Sequence, residues 1–136
     1  MSNEQRVRRY WESFWSRGET AAVNELYATM FRLNGHDVSR SDWLEGAMTW
    51  RACFRDLSAA VDLLVACGDS LVVSRVLYSG TFESETYRGL SPRGRRIEIS
   101  GLDIFRFEDG RVVDHWHEAD HHAMFAQLGG EVRQAE

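Results

Sequence analysis

Lysine is absent from this sequence, and proline occurs once, as Pro92. All 16 basic residues are arginine, set against 21 acidic ones, for a net charge of −5. Such a chain lacks the broad positive face that neutralises phosphates, so a nucleic acid is not expected as a partner. The one dense basic cluster, Arg93, Arg95 and Arg96, falls in a Pro/Gly turn and reads as a solvated loop. Without a Pro-rich linker, an internal repeat or a low-complexity segment, residues 1–136 are expected to form one domain. Cys53 and Cys67 match no metal or redox spacing and read as small hydrophobes. No apolar run approaches the roughly 18 residues of a membrane-spanning helix. The N-terminal stretch MSNEQRVRRYWESF has no signal-peptide core. These absences point to a cytoplasmic protein with reduced thiols and no membrane partner.

What is abundant is aromatic surface. Hydrophobic residues make up 43% of the chain and aromatics 12%, with tryptophan at 11, 15, 43, 50 and 116. A domain of this length buries roughly 68–70% of its unfolded surface, enough for a core and one internal cavity. Tryptophans in such a core either fill volume or wall a pocket for a flat apolar ligand.

The patterning divides the chain into helices followed by strands. Val7, Tyr10, Trp11, Phe14 and Trp15 form one face of a helix over 3–17, stopped by Gly18. A second helix is expected from Thr20 to about Met30, then a short strand over Phe31–Gly35 and a polar loop over His36–Arg40. A third helix starts at Ser41-Asp42 and carries Trp43, Leu44, Ala47, Met48 and Trp50 through to Phe54. After Asp56 the period changes to two. Strands are expected around Val61–Val65, over Ser70–Phe82, over Arg96–Phe107 with Gly101 as a possible bulge, and over Arg111–Ala119. Turns fall at Gly68-Asp69 and Glu108-Asp109-Gly110, and a closing helix covers 121–128. This order predicts an α+β fold: a curved antiparallel sheet with helices on one face, shaped as a cone whose open end is a ligand cavity. The expected strands are apolar on both faces. One face must cover the helices, so the other predicts a homodimer through the sheet.

Several motifs occur in a fixed order: Arg-Gly-Glu at 17–19, Gly80-Thr81, SPRGR at 91–95, G-x-D-x-x-R-x-x-D-G-R from Gly101 to Arg111, W-x-x-x-D from Trp116 to Asp120, and QLG at 127–129. Together they resemble the SnoaL-like polyketide cyclases of the nuclear transport factor 2-like superfamily, over nearly the whole chain. The resemblance implies an α+β cone, usually dimeric, with a metal-free pocket in which an aspartate does acid/base chemistry; that aspartate carries over to Asp120. Arg106 stands where the founding cyclases place a histidine, and Phe82 where many relatives have one.

Asp103, Arg106, His117 and Asp120 lie on two adjacent expected strands, so four ionisable groups can converge. A carboxylate in an apolar cavity is raised by desolvation and lowered by a nearby cation, a balance suited to proton transfer near neutral pH. Strict alternation puts Asp103 and Arg106 on opposite faces, which instead favours an exposed surface ion pair. His115, His117, His121 and His122 straddle a strand-to-helix junction that breaks any common face, so no metal and no cofactor are expected. Trp11, Trp15, Phe82, Trp116 and His36 are the expected pocket residues. Three functions follow: a cyclase closing a ring of an anthracycline-type polyketide by aldol condensation with Asp120 as base and Arg106 or His117 at the oxyanion, a cofactor-independent hydroxylase of a similar substrate, and a non-catalytic ligand-binding module.

Overall fold

In the computed structural model, which describes residues 1–131, Ser2 opens the first helix with a capping box. Its hydroxyl accepts from the Gln5 backbone N–H while the Gln5 side chain accepts from the Ser2 N–H. Helix α1 runs Asn3–Arg9 and then widens into a π-helical segment, Tyr10–Trp15. There the Ser16 N–H reaches back five residues to the Trp11 carbonyl. The expected 3–17 helix is therefore two segments, and the wide turns bury Tyr10, Trp11, Phe14 and Trp15 together.

Helix α2 covers Ala21–Leu26 and ends earlier than its pattern predicts, because Tyr27 is already extended. Strand β1, Tyr27–Leu33, forms a hairpin with β2, His36–Ser39, through Asn34-Gly35, both with positive φ. Asn-Gly is a strong signal for such a turn, and the loop expected at 36–40 is mostly this second strand. Helix α3, Arg40–Arg51, is capped by the Ser39 hydroxyl. Strands β3 (Ser58–Cys67), β4 (Leu71–Thr81), β5 (Arg96–Glu108) and β6 (Arg111–Ala119) follow, then helix α4 (His121–Gln127).

The fold is α+β, with one six-stranded curved sheet in the order β2-β1-β6-β5-β4-β3. It is not wholly antiparallel: β1 lies parallel to β6, next to the last strand of the chain. The inner face, covered by helices, carries the core residues Val72, Val76, Ile97, Ile99 and Phe105. Gly101 is not a bulge; it pairs in register with Val76 and Ala119. The irregularity lies at the far end, where Arg106 pairs with Asp114 but Phe107 with Val112, leaving Val113 as the extra residue. Among the described residues no helix is long and apolar enough to cross a membrane.

Gly101 has a different reason to be glycine. A Cβ there would sit 2.9 Å from Cε2 of the Tyr78 ring, which is only 5% exposed and cannot easily swing aside. Gly101→Ala is expected to destabilise the fold by about 1–3 kcal/mol, the usual size of an overpacked core. Urea denaturation checks this; an unchanged midpoint would mean that Tyr78 moves freely.

Candidate active site

Alternation along β5 turns Gly101, Asp103, Phe105 and Phe107 toward the helices. Asp103 is thus fully buried, at 0% exposure, in the wall of a cavity of about 340 Å³. Trp11, Trp15, Trp43, Trp50, Tyr10 and Tyr78 supply its aromatic walls, and Leu33, Ile99, Ala119 and His121 line it as well. Helix α3 presents Trp43, Gly46, Ala47 and Trp50 to the cavity at helical spacing.

A bare carboxylate in such surroundings is strongly disfavoured. Two histidines of β6 meet it. His117, directly across the ladder, places Nδ1 2.7 Å from Asp103 Oδ1, and His115 places Nε2 2.6 Å from the same oxygen. Behind them the Tyr27 hydroxyl lies 3.0 Å from His115 Nδ1, and the His115 ring stacks on Phe105 with centroids 4.3 Å apart. One tautomer set satisfies all three contacts: Tyr27 O–H donates to His115 Nδ1, and both His115 Nε2–H and His117 Nδ1–H donate to Asp103. His117 Nε2 is then left with its lone pair free, on a ring that lines the cavity.

Burial alone would raise Asp103, but the hydrogen bonds from His115 and His117 outweigh it and hold the carboxyl below its usual range. Burial also pulls His117 down, and here the Asp103 hydrogen bond and charge prevail, so it lies above 6.5. His115, fully buried, stays below 6.5 because desolvation outweighs the same partner. Folding therefore favours the charged forms of Asp103 and His117 and the neutral form of His115.

These three are also the group of potential metal ligands among the described residues, with donor atoms within 4.8 Å of one another. Metal–ligand bonds of 2.0–2.2 Å at open angles set neighbouring donors about 3 Å apart or more. Contacts of 2.6 and 2.7 Å are instead those of hydrogen bonds.

Of the catalytic and pocket residues expected from the sequence, Asp103, His117, Trp11 and Trp15 line this cavity. The others are elsewhere. Asp120 is exposed and caps α4, its carboxylate accepting from the Ala123 N–H at 2.9 Å. Arg106 faces outward by alternation and is held by Asp114 and Glu108. Trp116 is 41% exposed on the outer face and His36 is exposed on edge strand β2. Phe82 is packed in the core against Phe54 and Tyr87 rather than lining the pocket. His115, which the sequence offers only as a member of the histidine run, joins the site, and so does Tyr27, which the sequence does not point to. The i, i+2 spacing of His115 and His117 on one strand was the available signal for the first; Tyr27 was assigned to a helix.

The sequence pattern of the SnoaL-like polyketide cyclases matches residues 5–128. The chain belongs to that family. Among solved structures, this SnoaL-like protein superposes on IdmH of Streptomyces antibioticus, described as a candidate polyketide cyclase, with TM-score 0.81 and 29% identity, covering 95% of this chain and 99% of IdmH. TsrD of Streptomyces laurentii gives 0.82 at 24% identity, covering 95% and 96%. AclR of Streptomyces galilaeus, described as a candidate hydroxylase, gives 0.76 at 23%, covering 94% and 98%. The last two similarities establish the fold alone. None of the curated proteins matches the chain in sequence.

The two histidines of this SnoaL-like site act oppositely on stability. His117, raised by folding, contributes stability that is complete below 6.5 and fades as pH rises through its folded value. His115, lowered by folding, contributes stability above 6.5 that fades as pH falls through its folded value. Asp103, also lowered, contributes above 3.8 and loses this only in stronger acid. Side-chain NMR with assigned resonances is expected to show His117 titrating above 6.5 and His115 below it, and Asp103→Asn should bring His117 down. His115 and His117 titrating together at 6.5 in the native protein would contradict the network.

Proposed function

We propose that this SnoaL-like protein is a cofactor-free enzyme acting on a polycyclic aromatic polyketide, and that it closes a ring by intramolecular aldol condensation with the Asp103–His117 pair as acid/base. The observation that carries this reading is the 2.7 Å contact of buried Asp103 with His117 Nδ1 in the wall of an aromatic cavity. The cavity volume, about 340 Å³, lies within the range of small-molecule sites, and its apolar walls suit flat fused rings.

His117 Nε2 takes a proton from a carbon beside a carbonyl, and the C–H electrons move onto that carbonyl oxygen as an enolate. The enolate carbon attacks a second carbonyl of the same molecule, forming the new C–C bond. The resulting alkoxide takes its proton from the His117 imidazolium. Asp103 holds the ring in one tautomer and stabilises the imidazolium between the two transfers, while conjugation in the substrate stabilises the enolate. Holding both carbons in contact supplies much of the rate.

With an anthracycline-type methyl ester as substrate, His117→Gln and Asp103→Asn are each expected to lower turnover by 10²–10⁴-fold. Asp120→Asn, altering only a helix cap, should stay near the native rate. Full activity in His117→Gln would remove the pair from the mechanism, and loss of turnover confined to Asp120→Asn would return the role to Asp120. Oxygen uptake accompanying turnover would replace ring closure with hydroxylation, the activity for which AclR is described. Tight binding with no turnover would leave a ligand-binding module.

The same reading includes a homodimer through the outer sheet face. Val65, Val73, Ile104 and Trp116 pair in sequence across β3, β4, β5 and β6 as one apolar row, while in the next row Arg75 separates Leu63 from Leu102. Trp116 and Ile104 are 41% and 39% exposed, and contiguous apolar surface of this kind marks an interface. Sedimentation is expected to give a dimer at micromolar concentration, and Ile104→Asp a monomer; a monomer throughout would contradict the assignment.

A further inference from the structure

Glycine in the middle of a helix gives up more chain entropy than any other residue and weakens the helix. Gly46 stands well inside α3, Arg40–Arg51. Of the eleven glycines in the chain, every other one has positive φ or would press a Cβ against a neighbour, as Gly101 does on Tyr78. Gly46 has neither reason. Its φ is not positive, and a Cβ built there meets nothing within 4 Å outside the α3 backbone and the flanking residues. The empty space is the cavity. At about 100° per residue, the cavity-lining residues of α3 fall in the order Asp42, Gly46, Trp50, Trp43 and Ala47 across an arc of about 140°. A side chain at 46 would therefore point between those of Asp42 and Trp50, into the cavity.

The cavity runs from Asp103 and His115, both buried, to Asp42, Gly46 and His121, all exposed. Gly46 is thus on the lip of its open end, and α4 brings His121 to the same mouth. Trp43 and Trp50 flank position 46 at i−3 and i+4. Both meet the Trp15 ring edge-on, with centroids 6.1 and 5.7 Å away. Packed rings hold these walls in place, so the clearance between them is set at position 46. A flat ring needs about 3.5–4.0 Å to the atoms it rests on. Bare backbone leaves that room, and a side chain takes it away. We propose that Gly46 determines specificity for size: its missing side chain leaves a slot in the lip through which a ligand of three or more fused rings slides edge-first toward Asp103 and His117, whereas a ligand of two rings needs no slot. This rests on the reading of the cavity as a polyketide site and names the residue that sets how many rings it accepts. Helix stability is given up at this one position to keep the entrance open.

Two probes test this by binding, independently of turnover: 2-hydroxyanthraquinone, a hydroxyl on three fused rings, and 2-naphthol, a hydroxyl on two. Gly46→Leu fills the slot with a good helix former. It is expected to weaken the three-ring probe about tenfold or more, the penalty of an overpacked contact, and to leave 2-naphthol unchanged, as measured by calorimetry. Gly46→Ala is expected to raise the Tm by about 2–4 °C, because alanine favours the helix and finds free space. In the native protein labelled with ¹⁵N-glycine, the Gly46 amide should shift when 2-hydroxyanthraquinone binds and not with 2-naphthol. This last measurement needs no variant to fold. Native-like binding of the three-ring probe by Gly46→Leu, an equal loss for both probes, or an unmoved Gly46 amide would overturn the assignment while leaving the cavity as a polycycle site. A lower Tm in Gly46→Ala would trace the glycine to folding and overturn it as well. Failure of the native protein to bind 2-hydroxyanthraquinone would overturn it together with the proposed substrate class. Inactivity toward polyketide esters with the binding results intact would count against ring closure and in favour of the Gly46 slot.

Discussion

A negative charge with no access to water organises this protein. Asp103 is fully buried among aromatic rings, where an unpaired carboxylate would be driven to the neutral form or would unfold its surroundings. Two imidazoles converge on one of its oxygens, and each is held from behind or across: His115 by Tyr27 and Phe105, His117 by its place opposite Asp103 in the ladder. The tyrosine hydroxyl, the inner histidine, the carboxylate and the outer histidine therefore form one line from the core to the cavity. Truncating any inner member changes the proton affinity of the outermost.

That line exists because of one extra residue in β6. In a regular strand Val112, Asp114 and Trp116 would share a face, and His115 and His117 would point outward. The bulge at Val113 reverses the parity between Val112 and His115, so Val112 and both histidines face the helices while Asp114 turns out. Asp114 then finds Arg32 in a two-point contact at 2.6 and 2.7 Å, with Arg106 at 2.7 Å. Arg32 and then Arg106 hold Asp114 below its usual range. The arginine that looked like an oxyanion donor is thus a clamp on the opposite face, pinning the bulge that aims the histidines inward.

Much of this was readable from residue order. The period change after Asp56, the turns at 68–69 and 108–110, and the alternation that separates Asp103 from Arg106 all follow from side-chain spacing, and membership of the family follows from the ordered motifs. Three features were not readable. A bulge leaves no trace in composition, so the parity of His115 was open. The parallel pairing of β1 with β6 joins residues some 80 positions apart, beyond any local pattern. And Asp120, fixed by spacing from Trp116, falls one residue past the strand, where the chain turns into α4. Aspartate at such a junction is a common helix cap, a local role that the motif alone does not distinguish from a catalytic one.

The same parallel pairing governs when the site comes into being. Tyr27 reaches His115 only once β1 lies beside β6, and β6 is the last strand of the chain. Helical and hairpin contacts close short loops and form early; this one must close a loop spanning most of the sequence. During synthesis, aromatic side chains of the first helices emerge long before the strand that covers them. The hydrogen-bonded line from Tyr27 to His117 is accordingly assembled late, and a chain arrested before residue 111 has walls for a pocket but no histidine beside Asp103.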